Sequence, residues 1–406
     1  MAASGTVQQH GLASLISPLD PPSFMTEFWG KKCLHGQVSL CATGDLLNRL
    51  AGCSTQELLN MTQDPVVVMH KTASGHYRGT RVAAAAALDF YESKASLYFD
   101  LSRNIPEVAS WIAALAENLG QRRSAVRVSL FISPGGGATE CHFDANENFT
   151  IQLRGHKRWK MAPNSTVMNP MDRFTISGDM ETSMALYWKN EMPVNLELTE
   201  IADLVPGSML YVPRGYWHTV EALEPSVSLN FCIRPEAWIS FFTPLLERRL
   251  LAEKDWRESA MGIRGTEDER VAARAVLARL LDSLAGICAD MKTEELIPAK
   301  PTDQSNAIAS IGLEDVVHPN QTALLFYSRT DIDKSESKIQ VDVGATISGW
   351  TAPASMIPVC RWIASREAFT LRGLLEQFND VSKSDIQQLF YKLIAAGFLI
   401  DGSRNG

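Results

Sequence analysis

Between residues 124 and 235 apolar and polar side chains alternate in short runs: RVSLFIS (127–133), NFTIQL (148–153), KRWKMA (157–162), SMLYVP (208–213) and SVSLNFCI (226–233). A period of two in segments rich in β-branched and aromatic residues predicts strands, and the Gly, Pro and Asn residues between them predict turns. Gly155, between the second and third runs, predicts a hairpin. Strands spaced in this way predict an antiparallel sandwich or barrel of the jelly-roll kind. Within NFTIQL, Asn148, Thr150 and Gln152 share one face, and Phe149, Ile151 and Leu153 share the other.

The flanks have other periods. SLYFDL (96–101) predicts one more strand, and residues 55–59 a capped helix start. Pro106 opens a segment whose Val108, Trp111, Ile112, Leu115 and Leu119 stand three or four apart, the mark of an amphipathic helix closing at Gly120. After Pro235 the stretches EAWISFFTPLLERRLLAEK and DERVAARAVLARLLDSLAGICADM carry apolar stripes and predict a packed helical bundle. PAKPTDQSNA (298–307) has linker composition. The end, TLRGLLEQFNDVSKSDIQQLFYKLIAAGFLI, predicts helix, turn, helix and strand, a winged-helix outline. The fold class expected is α+β: a double-stranded β-helix barrel with an N-terminal α/β segment, then helices and a winged helix. The expected divisions are 1–235 with its core at 124–235, then 236–300, then 301–406.

Composition narrows the function. The chain has 406 residues, 38 Lys and Arg against 46 Asp and Glu, and a net charge of −8. Such a balance disfavours a general attraction to nucleic acid or anionic membranes. Residues 366–406 hold five basic and five acidic side chains, so the winged helix reads as a protein-packing module in preference to a duplex binder. Seven scattered cysteines without a CxxC pair fit reduced thiols. No secretory signal or membrane span is visible, so a cytoplasmic location is expected.

The candidate chemistry lies in GGGATECHFDANENF and, far downstream, LYVPRGYWHTVE. His142 and Asp144 are two apart, so on extended chain they leave on one face, and His218 follows the turn made by Pro213, Arg214 and Gly215. Pro134 to Gly137 form a loop expected to be flexible. Two imidazoles and a carboxylate are the facial triad of non-haem Fe(II) oxygenases, which leaves positions open for co-substrate and dioxygen. If the co-substrate is 2-oxoglutarate, its distal carboxylate needs an interior cation. Lys157 is the candidate, since Arg158 and Lys160 share the opposite parity. His156 and the remaining histidines read as structural or surface residues. Cys141 reads as a small apolar filler, and Tyr211, Tyr216 and Trp217 as core or groove.

The run PGGGATECHFDANENFTIQLRGHKRWKMAP, with LVPGSMLYVPRGYWH and SLNF, resembles the Jumonji C class of 2-oxoglutarate oxygenases. Within that class it is most similar to the ribosomal-oxygenase branch, which also has an element like FMTEFWGKKCL near its start. The resemblance implies His142, Asp144 and His218 as iron ligands and Lys157 as the partner of the 2-oxoglutarate carboxylate. Thr139, Asn148 and Asn230 match polar positions that the related asparaginyl hydroxylase uses around its co-substrate. It further implies a homodimer through the helical region, Fe(II) with 2-oxoglutarate and dioxygen, and hydroxylation of a protein or peptide side chain with release of succinate. Asn148, Cys141 and Ser208 depart from that branch and leave the substrate open. A peptide natural product, a methylated lysine, and a non-catalytic binding role are the other readings.

Overall fold

The computed structural model describes residues 11–40, 45–62, 64–72, 77–102, 105–178, 180, 182–188, 196–293, 316–319, 323–329, 336–343, 346–396 and 398–401. The chain divides into two compact units, Met1–Glu236 and Ala237–Gly406.

The first unit is built on two antiparallel sheets. Its strands are β1 (Leu34–Gln37), β2 (Val66–Lys71), β3 (Tyr77–Val82), β4 (Ser96–Asp100), β5 (Val126–Ser133), β6 (His142–Phe143), β7 (Glu147–Arg154), β8 (Lys157–Ala162), β9 (Phe174–Thr175), β10 (Glu200–Leu204), β11 (Ser208–Val212), β12 (Trp217–Ala222) and β13 (Ser226–Ile233). The larger sheet runs β1-β11-β7-β13-β5-β4-β2-β3, and the smaller β10-β8-β12-β6-β9. This is the jelly-roll arrangement, two sheets with strands that switch between them.

Inside the barrel the faces of β7 and β13 are polar, beside an apolar cluster in which Leu210 and Val212 of β11 pack with Trp159 and Met161 of β8, and the outer face of the larger sheet is apolar. On β7, Phe149, Ile151 and Leu153 join the main hydrophobic core with Val128, Leu130, Leu229 and Phe231 of β5 and β13. Helices supply the cover: α1 (Leu12–Ile16), α2 (Pro21–Glu27), α3 (Asp45–Gly52), α4 (Thr55–Leu59), α5 (Ala84–Glu92) and α6 (Pro106–Asn118). In α6, Pro106 stands in the first turn, and Val108, Trp111, Ile112 and Leu115 are buried. Trp111 meets Phe231 with ring centroids 5.2 Å apart. Each large apolar side chain so covered contributes roughly 1.5–3 kcal/mol. Because β7 is covered on both faces it is buried along nearly its whole length, and only parity tells its two faces apart.

Two expectations about connections are corrected. The turn at Gly155 is not a hairpin: β7 pairs with β11 and β13, whereas β8 pairs with β10 and β12. The chain crosses from one sheet to the other there. Gly155 has φ +69, and a Cβ on it would run into the Pro225 carbonyl and lie 2.8 Å from Ser226 Cα. The Pro134 to Gly137 loop is not loose. Gly136 N–H donates to the Ala222 carbonyl at 2.7 Å, Ala222 N–H returns a bond to Gly137, and Thr139 N–H donates to Val220.

In the second unit, α7 (Trp238–Ala252) and α8 (Glu267–Ala289) precede β14 (Val316–Pro319), β15 (Ala323–Arg329), β16 (Glu336–Val343) and β17 (Thr346–Pro353). Then come α9 (Met356–Ala364), β18 (Phe369–Thr370), α10 (Leu371–Gln377), α11 (Lys383–Ala395) and β19 (Leu399–Asp401). Strands β18-β14-β19 form one small sheet and β15-β16-β17 another. Val359, Ile363, Leu374, Ile386, Phe390 and Leu393 pack the core between α9, α10 and α11. The stretch 298–307 lies outside the described residues. The expected packed bundle of α7 and α8 is also corrected. No residue of α8 is fully buried, and Trp238 and Ile239 on α7 are 74% and 64% exposed. Among the described residues, no helix is long and apolar enough to cross a membrane.

Replacing Gly155 with Ala strains a positive φ and forces a methyl into the 225–226 backbone. Thermal or urea unfolding is expected to show a loss of about 2 kcal/mol or more, whereas the same change at Gly52, where a Cβ meets nothing within 4 Å, is tolerated.

Candidate metal centre

Three side chains converge between the sheets. His142 on β6 and His218 on β12 are register partners in adjacent antiparallel strands, and their ring centroids lie 4.2 Å apart. Asp144 follows His142 by two residues, where the chain leaves the strand. Its carboxylate oxygens stand 3.9 Å from His142 Nε2 and 3.8 Å from His218 Nε2. The three ligand atoms lie within 4.8 Å of one another. Among the described residues this is the group of His, Cys, Asp and Glu side chains placed to hold a metal ion.

The surroundings fix which nitrogens face the centre. His142 Nδ1 lies 2.7 Å from the Glu140 carbonyl, and His218 Nδ1 lies 2.9 Å from that of Tyr216. A carbonyl only accepts, so each Nδ1 carries the proton and each Nε2 lone pair points to the centre, the outer-shell arrangement usual for metal-bound imidazole. Trp159 stacks on the His218 ring at 5.4 Å. Asn148 Nδ2–H donates to Asp144 Oδ2 at 3.1 Å, and Gly215 N–H donates to the Asp144 carbonyl at 2.9 Å.

Electrostatics keep the set ready to bind a cation. Burial, with the facing His218, brings the His142 imidazole down to about 3, and burial lowers that of His218 too. Burial opposes ionisation of Asp144, but the two imidazoles, Arg173 and the Asn148 hydrogen bond outweigh it and hold the carboxyl below its usual range. Two neutral imidazoles and a carboxylate are the protonation states that metal ligation requires.

Deeper in the barrel lies Lys157. Its Nζ donates to Ser228 Oγ at 2.8 Å and sits 5.8 Å from the Phe131 ring. Among the described residues it has no carboxylate partner, and burial brings its ammonium down to about 7. Nearby faces add acceptors without donors: Thr150 Oγ1, Gln152 Oε1 and Asn230 Oδ1 are buried with no hydrogen-bond partner. Asn230 lies opposite Thr150 and Ser129 on neighbouring strands. Thr139 is placed differently, since its Oγ1 accepts from Val220 N–H and its carbonyl from the Thr219 hydroxyl. Arg158 points away and pairs with Asp203 at 2.7 Å on the exposed face.

The sequence reading missed three residues. Ser228 shares parity with Asn230 in SVSLNFCI, so alternation could have found it. Glu147 accepts from the Tyr211 hydroxyl at 2.5 Å and from Arg214 N–H at 3.1 Å, and Tyr211 in turn accepts from Gly30 N–H at 2.8 Å. A carboxylate on the apolar face of β7 breaks the pattern, which is its only signal. Arg173, whose Nε is 3.5 Å from Asp144 Oδ1, comes from a stretch with no periodicity. Tyr211 and Trp217 are core residues, Trp217 against Phe143 at 4.8 Å, and Tyr216 donates to Glu200. Burial raises the thiol of Cys141, beside His142, to about 11.

Residues 103–240 match the JmjC domain family, and over that span the chain carries a JmjC domain. Among curated proteins it is similar to the uncharacterized protein YxbC of Bacillus subtilis, 28% identical over 309 residues, which make up 73% of this chain and 93% of YxbC. It is 26% identical to ribosomal oxygenase 1 of Gallus gallus over 175 residues, 42% of this chain but only 27% of that protein. A solved structure of the Escherichia coli ribosomal oxygenase YcfD, in complex with cobalt and 2-oxoglutarate, aligns over 95% of this chain and 99% of its own at 16% identity, with a TM-score of 0.41.

The imidazoles make stability depend on pH in a definite sense. In the unfolded chain they take up protons near 6.5, whereas in the folded chain His142 resists until about 3. The unfolded state therefore binds more protons in this window, and stability of the metal-free protein falls as pH drops from 6.5 towards 3. Urea titrations at pH 7.5, 6 and 5 should show the fall, and His142→Gln should flatten it.

Proposed function

We propose that this chain is an Fe(II)- and 2-oxoglutarate-dependent oxygenase that hydroxylates a protein or peptide side chain. The observation that carries the reading is Lys157, a cation in the same barrel as an open three-ligand centre, buried with no carboxylate to pair it among the described residues. A buried charge is kept when pairing and hydrogen bonds compensate its desolvation, and a dianionic co-substrate supplies that pairing. The unpartnered acceptors of Thr150, Gln152 and Asn230 fit a ligand bound with ordered water.

In this reading His142, Asp144 and His218 hold the iron on one face, with Asn148 orienting the carboxylate and the Glu140 and Tyr216 carbonyls orienting the imidazoles. Lys157 and Ser228 take the distal carboxylate of 2-oxoglutarate, Asn148 and Asn230 offer polar groups beside it, and Thr139, bonded to Val220 and Thr219, supports the strand that carries His218. Bound iron with 2-oxoglutarate and dioxygen supplies the oxidising chemistry, with succinate and carbon dioxide released. The protein's part is geometric and electrostatic. The polar interior positions the co-substrate, the sheet walls exclude bulk water, and the open side of the centre admits the substrate. Similarity to the ribosomal oxygenases favours a ribosomal protein as substrate.

Anaerobic titration with Fe(II) and 2-oxoglutarate is expected to produce a metal-to-ligand charge-transfer band, and substrate-dependent succinate formation should vanish in His142→Ala and Asp144→Ala. A folded protein with no band would overturn the reading. Lys157→Ala should weaken 2-oxoglutarate by about 30-fold or more, the usual loss for one partner of a buried charge pair. Because the anion binds the charged ammonium, affinity in the parent should also decline as pH rises above about 7.

We further propose that residues 236–300 mediate a homodimer and that 301–406 form a winged helix serving protein contacts. The support for pairing is the apolar surface on α7 and α8, where Trp238, Ile239, Val271, Leu277 and Leu281 stand exposed in a single chain. Sedimentation equilibrium is expected to give twice the chain mass, and Trp238→Asp with Leu281→Asp should shift it to the monomer. A parent protein that sediments as a monomer at micromolar concentration would sink the pairing.

A further inference from the structure

The open end of the barrel carries an unexpected charge. Val212, Asn148, Cys232 and Arg127 form one crosswise row on β11, β7, β13 and β5. Asn148 in that row holds Asp144, so Arg127 lies level with the metal centre, two strand spacings or roughly 10 Å from Asn148. It has the same parity as interior Ser129 and is exposed. Arg234 follows the end of β13, and its guanidinium donates to the Met171 carbonyl at 2.8 Å, bringing it to the loop that carries Arg173. Arg173 is 53% exposed and reaches Asp144 from the solvent side. Three arginines thus stand around the entrance of a chain whose net charge is −8.

The nearby acids keep their charges, and Arg173 is within ion-pair distance of Asp144, but the carboxylates of Asp100 and Asp172 are engaged by neutral donors and not by Arg127 or Arg234. Asp100 accepts from Ser102 N–H. Asp172 accepts from the hydroxyls of Ser183 and Tyr187. Among the described residues neither Arg127 nor Arg234 has a carboxylate partner within salt-bridge distance. Arginine presents a planar fork that takes carboxylates two-pronged. The forks of Arg127 and Arg234 are therefore open to a carboxylate that an acidic segment can bring and a basic segment cannot.

We propose that this rim selects a substrate segment bearing acidic side chains next to the residue that enters the centre. The inference rests on the oxygenase reading for its location and adds the substrate's charge class. Arg127 and Arg234 would engage the flanking carboxylates. Arg173, at the centre, would exchange its contact with Asp144 for one with the substrate. A nucleic acid is the weaker fit, because three cations interleaved with Asp100 and Asp172 do not make a continuous phosphate track.

The test uses the full chain loaded anaerobically with Fe(II) and saturating 2-oxoglutarate, the charge-transfer band being read in every sample. Fluorescein-labelled decaglutamate, decalysine and a ten-nucleotide oligouridylate are titrated by anisotropy at low and high salt. Decaglutamate is expected to bind most tightly, to weaken with salt, and to weaken at least about 10-fold in Arg127→Glu with Arg234→Glu while the band is unchanged; the milder Arg127→Gln with Arg234→Gln guards against misfolding and should weaken it in the same direction. Equal or tighter binding of decalysine or oligouridylate, or decaglutamate binding indifferent to both variant pairs, would overturn the acidic-substrate proposal. A band without peptide selectivity discards the rim alone, and peptide selectivity without a band discards the oxygenase reading alone.

Discussion

The constraint around which this barrel is arranged is the solvation of one ammonium group, that of Lys157. Taking such a charge from water costs several kcal/mol, and a serine hydroxyl answers only one of its three protons. The interior faces of β7 and β13 accordingly carry the buried polar side chains Thr150, Gln152, Ser228 and Asn230, the reverse of the usual sheet sandwich along these two strands. Amides and hydroxyls of β7 and β13 line the interior beside the apolar cluster of Leu210, Val212, Trp159 and Met161, and the hydrophobic cover of these two strands lies on their other face. Phe149, Ile151, Leu229 and Phe231 face outward there, and helices from the first 118 residues close over them. The N-terminal segment is thus part of what makes this barrel stable.

The same segment reaches the metal centre through hydrogen bonds. Gly30, at the end of the FWG stretch, donates to Tyr211, Tyr211 to Glu147, and Glu147 holds the backbone of Arg214. The next residue, Gly215, donates to the Asp144 carbonyl, and three residues later stands His218. Burial raises the Glu147 carboxyl above its ordinary value, the mark of a group held for its geometry in surroundings that disfavour its charge.

Much of this was legible in the sequence because alternation is a local property. The runs at 148–153 and 226–233 declare their two faces by parity, and the polar parity of β7 and β13 turns out to be the interior. The spacing of His142 and Asp144 needs nothing beyond extended chain. What alternation does not encode is which strand lies beside which. KRWKMA follows NFTIQL after three residues, and a hairpin is the default for so short a link. The crossing into the other sheet goes with a positive φ at Gly155 and close packing on residues 225–226, a contact between distant parts of the chain. Arg173 escaped for the same reason, since its place near Asp144 is set by an irregular loop. The apolar stripes of α7 and α8 were legible as stripes, but the sequence of one chain does not say whether their cover comes from within it.

The pairing of His142 with His218 has a consequence for folding. They are direct partners across two short strands, and the β6 side of that pairing is only two residues long. A shift of one residue would send one imidazole to the opposite face. An ion gripping both rings binds only the correct register, and so draws the population towards it by mass action. A metal held there would then serve also as a template that selects the alignment of the strands that hold it.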